Sequence, residues 1–209
     1  GQHVAVLPGG PRAREFAVLQ DAVDVDGNEL AERERRDLPV DEGRDSPPGA
    51  VIHPLLDDPY ILALPKGTSL SGGLEGLAHL RFLRRDQAQV MGRQIEDMLI
   101  RQGMSLPNRF ELESNQSISA LVAGGHAWTI TTPLSLLRGR RFLDGIDARP
   151  LPFAGSSRRI VLCATGDWSG DIPRQIAAIA RDLIEQHFTE QGLDLMPWLQ
   201  GTFRILSDS

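Results

Sequence analysis

Three short polar clusters hold the residues whose types and spacing could act on a ligand. Arg84 and Arg85 follow an apolar run and precede Asp86, at what reads as a strand end beside a helix start. A guanidinium there can fork onto a carboxylate. The competing reading is a solvated pair with one arginine bound to a nearby acid, and neighbours in a strand are not expected to face the same way. Asn115, Gln116 and Ser117 open a second helical pattern. Asn115 reads as its N-cap, with Ser114 as the other candidate, and Gln116 or Ser117 can face a ligand. Thr131 and Thr132 end a strand before Pro133, where hydroxyls can meet a ligand and the proline stops the ladder. Hydroxyls, an amide and backbone N–H groups beside a helix start suit the holding of a small polar molecule, not chemistry on it.

Catalytic signatures are lacking. The sequence has no G-x-S-x-G elbow, no Walker loop and no G-x-G-x-x-G. His3, His53, His79, His126 and His187 show no ligand-like spacing, so neither metal nor cofactor is expected. His126, between a helix stop and a strand, reads as a partly buried packing residue. The glycine-rich run Ser71–Gly76 has no lysine after it and reads as a flexible turn. Cys163 stands alone within Ile160–Ala164, as a buried inert thiol, and fits a reducing compartment.

At 209 residues the chain can form one large domain or two lobes. A net charge of −6, with Lys66 the only lysine, opposes non-specific nucleic-acid binding. No apolar run is long enough to span a bilayer, and the N-terminus lacks a basic-then-apolar signal pattern. Residues 1–50 hold six arginines against eleven acidic residues, leaving −5 of that charge. Breakers flank this stretch at Pro8–Pro11 and Ser46–Gly49. Between them, AREFAVLQDAVDV can be a helix or a helix–strand mixture, and NELAERERRDLPVDEGRD has little to bury and reads as poorly ordered.

From Ala50 the elements that must position the clusters become legible. Strands are expected at Tyr60–Leu64, Leu80–Leu83, Phe110–Leu112, Trp128–Thr131 and Arg159–Ala164. Asp86 and Gln89 have capping-box spacing, opening a helix with Met91, Ile95, Met98 and Leu99 inward and a stop near Gly103. A second helix turns Ile118, Leu121 and Val122 inward and ends at Gly124–Gly125. A third begins at Asp171, with Ile176, Ile179, Ala180, Leu183 and Ile184 at i, i+3, i+4, i+7, i+8. The order predicts an α/β fold with crossover helices over a mostly parallel sheet.

The stretch from about Ala50 to Ala180 resembles the effector-binding domain of LysR-type transcriptional regulators. The resemblance rests on Pro54-Leu55-Leu56 leading into PYILALPKG, on RFLRRDQ, on SNQSISALVAGGHAWTITTP and on SRRIVLCATGDWSGDIPRQIAAIARDLI. It implies a two-lobed fold like that of type 2 periplasmic binding proteins, with crossover strands near Leu64–Thr68 and Thr132–Leu137. Residues 50–66 and 138–209 would form lobe I and residues 67–137 lobe II. Residues 1–49 lack the family's opening strand, Ser/Thr loop and helix, and read as a truncated or frame-altered part of lobe I. A small polar or anionic effector, a carboxylate on the arginine argument, would sit in an interlobe cleft against Arg84, Arg85, Asn115, Gln116, Thr131 and Thr132. The resemblance further implies a non-enzymatic, cytoplasmic homodimer or homotetramer, reaching DNA only through a helix-turn-helix domain absent from this sequence and using no membrane. The alternatives are a transport solute-binding protein of the same design and, less favoured, a deaminase- or lyase-like enzyme.

Overall fold

A computed structural model describes residues 4–7, 14–24, 50–106, 110–153, 156–164 and 171–207. These divide into two compact units: residues 59–156 with 191–198, and the described residues of 2–58, 157–190 and 199–209. The chain begins with strands β1 (Val4–Leu7), β2 (Arg14–Asp24), β3 (Val51–Pro59) and β4 (Ile61–Pro65). Then come β5 (Arg81–Phe82), β6 (Arg84–Arg85), helix α1 (Val90–Arg101), β7 (Glu111–Leu112), α2 (Asn115–Ala123) and β8 (Ala127–Thr131). The chain continues through α3 (Pro133–Leu137), β9 (Ile146–Pro150), β10 (Ser156–Ala164), α4 (Ile172–Leu195) and β11 (Arg204–Ile205).

The first unit is built on a four-stranded sheet of order β5-β8-β4-β9, with β6 and β7 as a separate parallel pair. β4 pairs antiparallel with both β8 and β9, and only β5 runs parallel to β8, so this sheet is mixed where a mostly parallel one was expected. A central strand covered on both faces is a continuous apolar run whatever the direction of its neighbours, and ILALP in β4 is buried throughout. Register sorts the two faces. Leu62 opposes Ile130, and these face the core with Tyr60, Leu64, Trp128 and Phe82. Met91, Ile95, Met98 and Leu99 of α1 close that core as their spacing predicts. The Phe82 and Trp128 rings lie 4.6 Å apart. The opposite face carries Ile61, Ala63, Thr129 and Thr131.

Several local expectations are corrected. The capping box before α1 does not form: Gln89 is the N-cap without a side-chain bond, while Asp86 Oδ1 accepts from the N–H of Ala88 at 2.8 Å. Asp86 lies three residues ahead of the cap itself, so it closes a turn and not the helix. Residues 73–77 wind into a 3-10 turn that buries Leu74 and Leu77, so the glycine-rich run is an ordered part of the core. Leu121 is exposed on α2, whereas Ile118 and Val122 are buried. His126 is also exposed.

Leu64 lies inside β4, Thr132 caps the short helix α3, and the unit built on this sheet comprises residues 59–156 with 191–198. The pairing of β4 with β8 and β9 is what draws both flanks into one body.

The second unit holds a five-stranded sheet of order β1-β2-β10-β3-β11. Residues 14–24 form a strand and not the helix or mixture expected of them, because β2 lies between β10 and β1, pairing antiparallel with β1 over residues 14–17, with Val4 opposite Ala17 and Leu7 opposite Arg14. The stretches 8–11, 28–45 and 46–49 lie outside the described residues. On α4 the buried face runs through Pro173, Ala177 and Phe188, while Ile179 and Leu183 are about 60% exposed. That face is turned roughly a quarter of a revolution from the expected stripe at 100° per residue. Its anchors explain the rotation: Arg181 donates through Nε and Nη2 to the Pro54 carbonyl at 2.9 and 2.6 Å, and Phe188 stacks on Phe203 at 3.8 Å. Asp171 precedes α4, and its hydrogen bond from Arg174 holds its carboxyl below the usual range.

Candidate functional site

β6 is two residues long, and the pleat sends its arginines to opposite sides. Both are buried, at 7% and 6% exposure. Arg84 turns toward α1, pairing through Nη1 with Glu96 and donating through Nη2 to the Leu106 carbonyl, with its guanidinium 5.5 Å from the Phe82 ring centre. Arg85 turns toward α2 and donates through Nη2 to Asn115 Oδ1. The helix above it is capped by Ser114, whose Oγ accepts from the Ser117 N–H at 3.3 Å. Asn115 is therefore the first helical residue and not the cap, which frees its amide to meet Arg85.

Around this pair lies a narrow cavity of about 10 Å³, wholly within the first unit. Arg85, Asn115, Ser119, Thr129, Thr131 and Ser135 supply its polar wall, and Ala63, Ile118, Val122, Leu136 and Ile146 its apolar wall. That space holds about one water-sized group. The lining offers one guanidinium, one amide and four hydroxyls, next to the positive end of the α2 dipole. Such a set favours an oxyanion or another polar oxygen. Thr129 Oγ1 donates to the Leu83 carbonyl at 2.8 Å, fixing that hydroxyl and tying β8 to the approach to β6.

The six residues singled out by sequence thus separate. Arg85, Asn115 and Thr131 line the same cavity. Arg84 is engaged on the far side of β6, Gln116 is exposed and accepts from Arg141 at 3.0 Å, and Thr132 is fully buried as the N-cap of α3. Thr132 Oγ1 accepts from the Ser135 N–H at 3.4 Å and bonds to Ser135 Oγ at 3.2 Å. Its replacement by valine is expected to cost about 1 kcal/mol through loss of the cap, read as a lowered melting temperature. Sequence reasoning missed Ser119, Thr129 and Ser135. Two of them carried a signal: Ser119 is four residues beyond Asn115 on one helix face, and Thr129 is two residues before Thr131 on one strand face. Ser135 was hidden because α3 was read as a connecting strand.

Among the described residues no group of three or more His, Cys, Asp or Glu side chains converges as a metal site would, and no helix is long and apolar enough to cross a membrane.

The sequence matches the family described as LysR substrate binding domain over residues 23–167. The match begins inside the segment set apart above as atypical and stops short of Ala180. Similar solved structures include a mutant OxyR from Corynebacterium glutamicum, 20% identical with a TM-score of 0.54, covering 68% of this chain and 46% of that one. A second is the CcmR regulatory domain of Synechocystis in complex with 2-PG, 20% identical with a TM-score of 0.52, covering 66% and 70%. A third is the effector binding domain of QuiR in complex with shikimate, 11% identical with a TM-score of 0.51, covering 68% and 69%. The chain spans about half the length of the OxyR it matches. No curated protein matches it. The shared fold is mixed α/β and like that of periplasmic binding proteins.

Proposed function

We propose that this chain, which belongs to the LysR substrate binding domain family, is the effector-sensing part of a DNA-binding transcriptional regulator and holds a small anionic metabolite, a carboxylate in the first instance, against Arg85, Asn115 and Thr131. The observation that carries the reading is the buried Arg85 guanidinium on a hydroxyl-lined cavity at the start of α2. Burial makes a charge-assisted hydrogen bond to an incoming oxyanion stronger than it would be at a surface. The lining is rich in hydrogen-bond donors, a guanidinium, an amide and four hydroxyls, which supports the holding of an oxyanion as the role of the site. Solved domains of this fold in complex with 2-PG and with shikimate support a small polar ligand as the effector class.

Ligand binding would favour one conformation of the chain over another, and a difference of about 1–3 kcal/mol is enough to alter an attached output. That output would be DNA bound through a helix-turn-helix segment outside this sequence, in a cytoplasmic homodimer or homotetramer.

Titration of the purified chain with a panel of small carboxylates and phosphates, read by melting temperature and calorimetry, tests the proposal. At least one ligand is expected to bind saturably, and Arg85→Gln to weaken it about tenfold or more. Arg84→Gln is expected to lower stability while leaving that affinity within about threefold. Equal affinity of the Arg85→Gln and unaltered chains would reject the assignment.

A further inference from the structure

We infer that Gly139 and Ser119 together set the depth of the Arg85 cavity, so that it admits a single oxygen-bearing terminus of a ligand and leaves the ligand's body outside. The inference rests on the ligand-binding reading above and concerns what limits that site. A side-chain carbon built at Gly139 would lie 2.7 Å from Ser119 Oγ, 3.1 Å from Ser119 Cβ and 3.3 Å from the Leu136 carbonyl oxygen. Real carbons of this kind essentially never approach closer than 3.0 Å, so something would have to shift.

The directions of relief are restricted. One turn further along α2, a carbon at Gly145 would meet the Ala123 side chain at 2.9 Å and its backbone at 3.1 and 3.2 Å. Asn115, Ser119 and Ala123 are spaced four apart and share one face of the helix, so the bare backbones at Gly139 and Gly145 let that face pack closely at two points. Ile118 and Val122 hold the helix from the core side, at 4% and 0% exposure. With the helix pinned, the movable atom is the Ser119 hydroxyl, and the space next to it is the cavity it lines. At about 10 Å³ that space has no room to lose. Gly139 is therefore a positioning residue that acts through Ser119, and the ligand chemistry it leaves room for is one oxygen of a carboxylate, sulfate or phosphate group.

The test uses the full chain with sodium acetate and sodium sulfate as probes, the first presenting a carboxylate terminus and the second an inorganic oxyanion. Binding is measured by calorimetry on chains whose melting curves show them folded. Gly139→Ala is expected to weaken the probe that binds by about tenfold. Ser119→Ala removes one lining hydroxyl and is expected to weaken binding by about threefold, and the Ser119→Ala/Gly139→Ala double variant should bind as Ser119→Ala does, more tightly than Gly139→Ala. This recovery distinguishes a blocked cavity from a merely damaged fold. If Gly139→Ala does not fold, comparison of Ser119→Ala with the double variant still decides: equal affinity supports the inference, and a double variant weaker by tenfold overturns it. A folded Gly139→Ala chain that binds as well as the unaltered one also overturns it, while Arg85→Gln still abolishing binding would leave the ligand site standing. Failure of both probes to bind the unaltered chain in an Arg85-dependent way overturns the inference and the ligand site together.

Discussion

Replacing Asp58 by alanine is expected to destabilise the chain by about 3–5 kcal/mol, because it removes the buried carboxylate onto which the buried Arg158 guanidinium donates twice. Asp58 is fully buried on β3, and its Oδ2 accepts from Arg158 Nε at 2.9 Å and Nη2 at 2.7 Å across to β10. Adjacent residues repeat the pairing on the other face: Arg159 forks onto Asp57 at 2.9 and 3.2 Å, with Arg204 of β11 at 3.8 Å. Two neighbouring strands are thus tied at the same level on both faces, which fixes their register, since a slip by one residue would set every one of these groups on the wrong side. The attraction between two desolvated charges barely exceeds what desolvation costs, so the pair specifies more than it stabilises. Asp58→Leu combined with Arg158→Met is accordingly expected to recover most of the loss seen in Asp58→Ala. Urea denaturation of the three chains measures this. A loss below about 1 kcal/mol in Asp58→Ala would show that the pair is solvated and exchangeable.

Gly92→Ala is the second large effect, and its sign is unusual. Within an ordinary helix the change from glycine to alanine stabilises by about 0.5–1 kcal/mol. Gly92 sits in the first turn of α1, is buried, and a carbon there would meet the Asp86 carbonyl oxygen at 2.2 Å and the Arg85 carbonyl oxygen at 2.8 Å. Both obstacles are backbone, so no side chain can rotate out of the way. The expected outcome is a loss of about 1–3 kcal/mol or more, from overpacking at a rigid contact. It should bring a fall in anion affinity as the backbone that aims Arg85 is displaced. Thermal melting and calorimetry on the same variant measure both. A stabilised Gly92→Ala chain would mean that α1 starts further from residues 85 and 86 than described.

What the sequence made legible follows from where local pattern and tertiary contact agree. The stripe Met91, Ile95, Met98 and Leu99 is read correctly because α1 has one apolar face and one place to bury it. Arg85 and Asn115 were recognisable as candidates from residue type and from their position at a strand end and a helix start. That Arg85 and not Arg84 reaches the cavity was not legible. The alternation of a strand separates the two arginines without saying which side holds Glu96 and which holds Asn115. On α4, many apolar residues allow more than one stripe, and the choice is made by Arg181 on Pro54 and Phe188 on Phe203, contacts distant in sequence. α3 is only five residues long and opens on Thr132-Pro133, so its cap signal resembled the end of a strand, and Ser135 went unseen with it. β2 took its form from its place between β1 and β10, which no pattern internal to residues 14–24 encodes.

An anionic effector held at the Arg85 cavity would perturb the groups that line it. An amide chemical-shift titration of the isotopically labelled chain, with whichever carboxylate or phosphate raises its melting temperature most, tests this directly. Saturable shifts at Asn115, Ser119, Thr131 and Ser135, together with the Arg85 Nε–H resonance, are predicted. Saturable shifts confined to other residues, with these five silent, would contradict it.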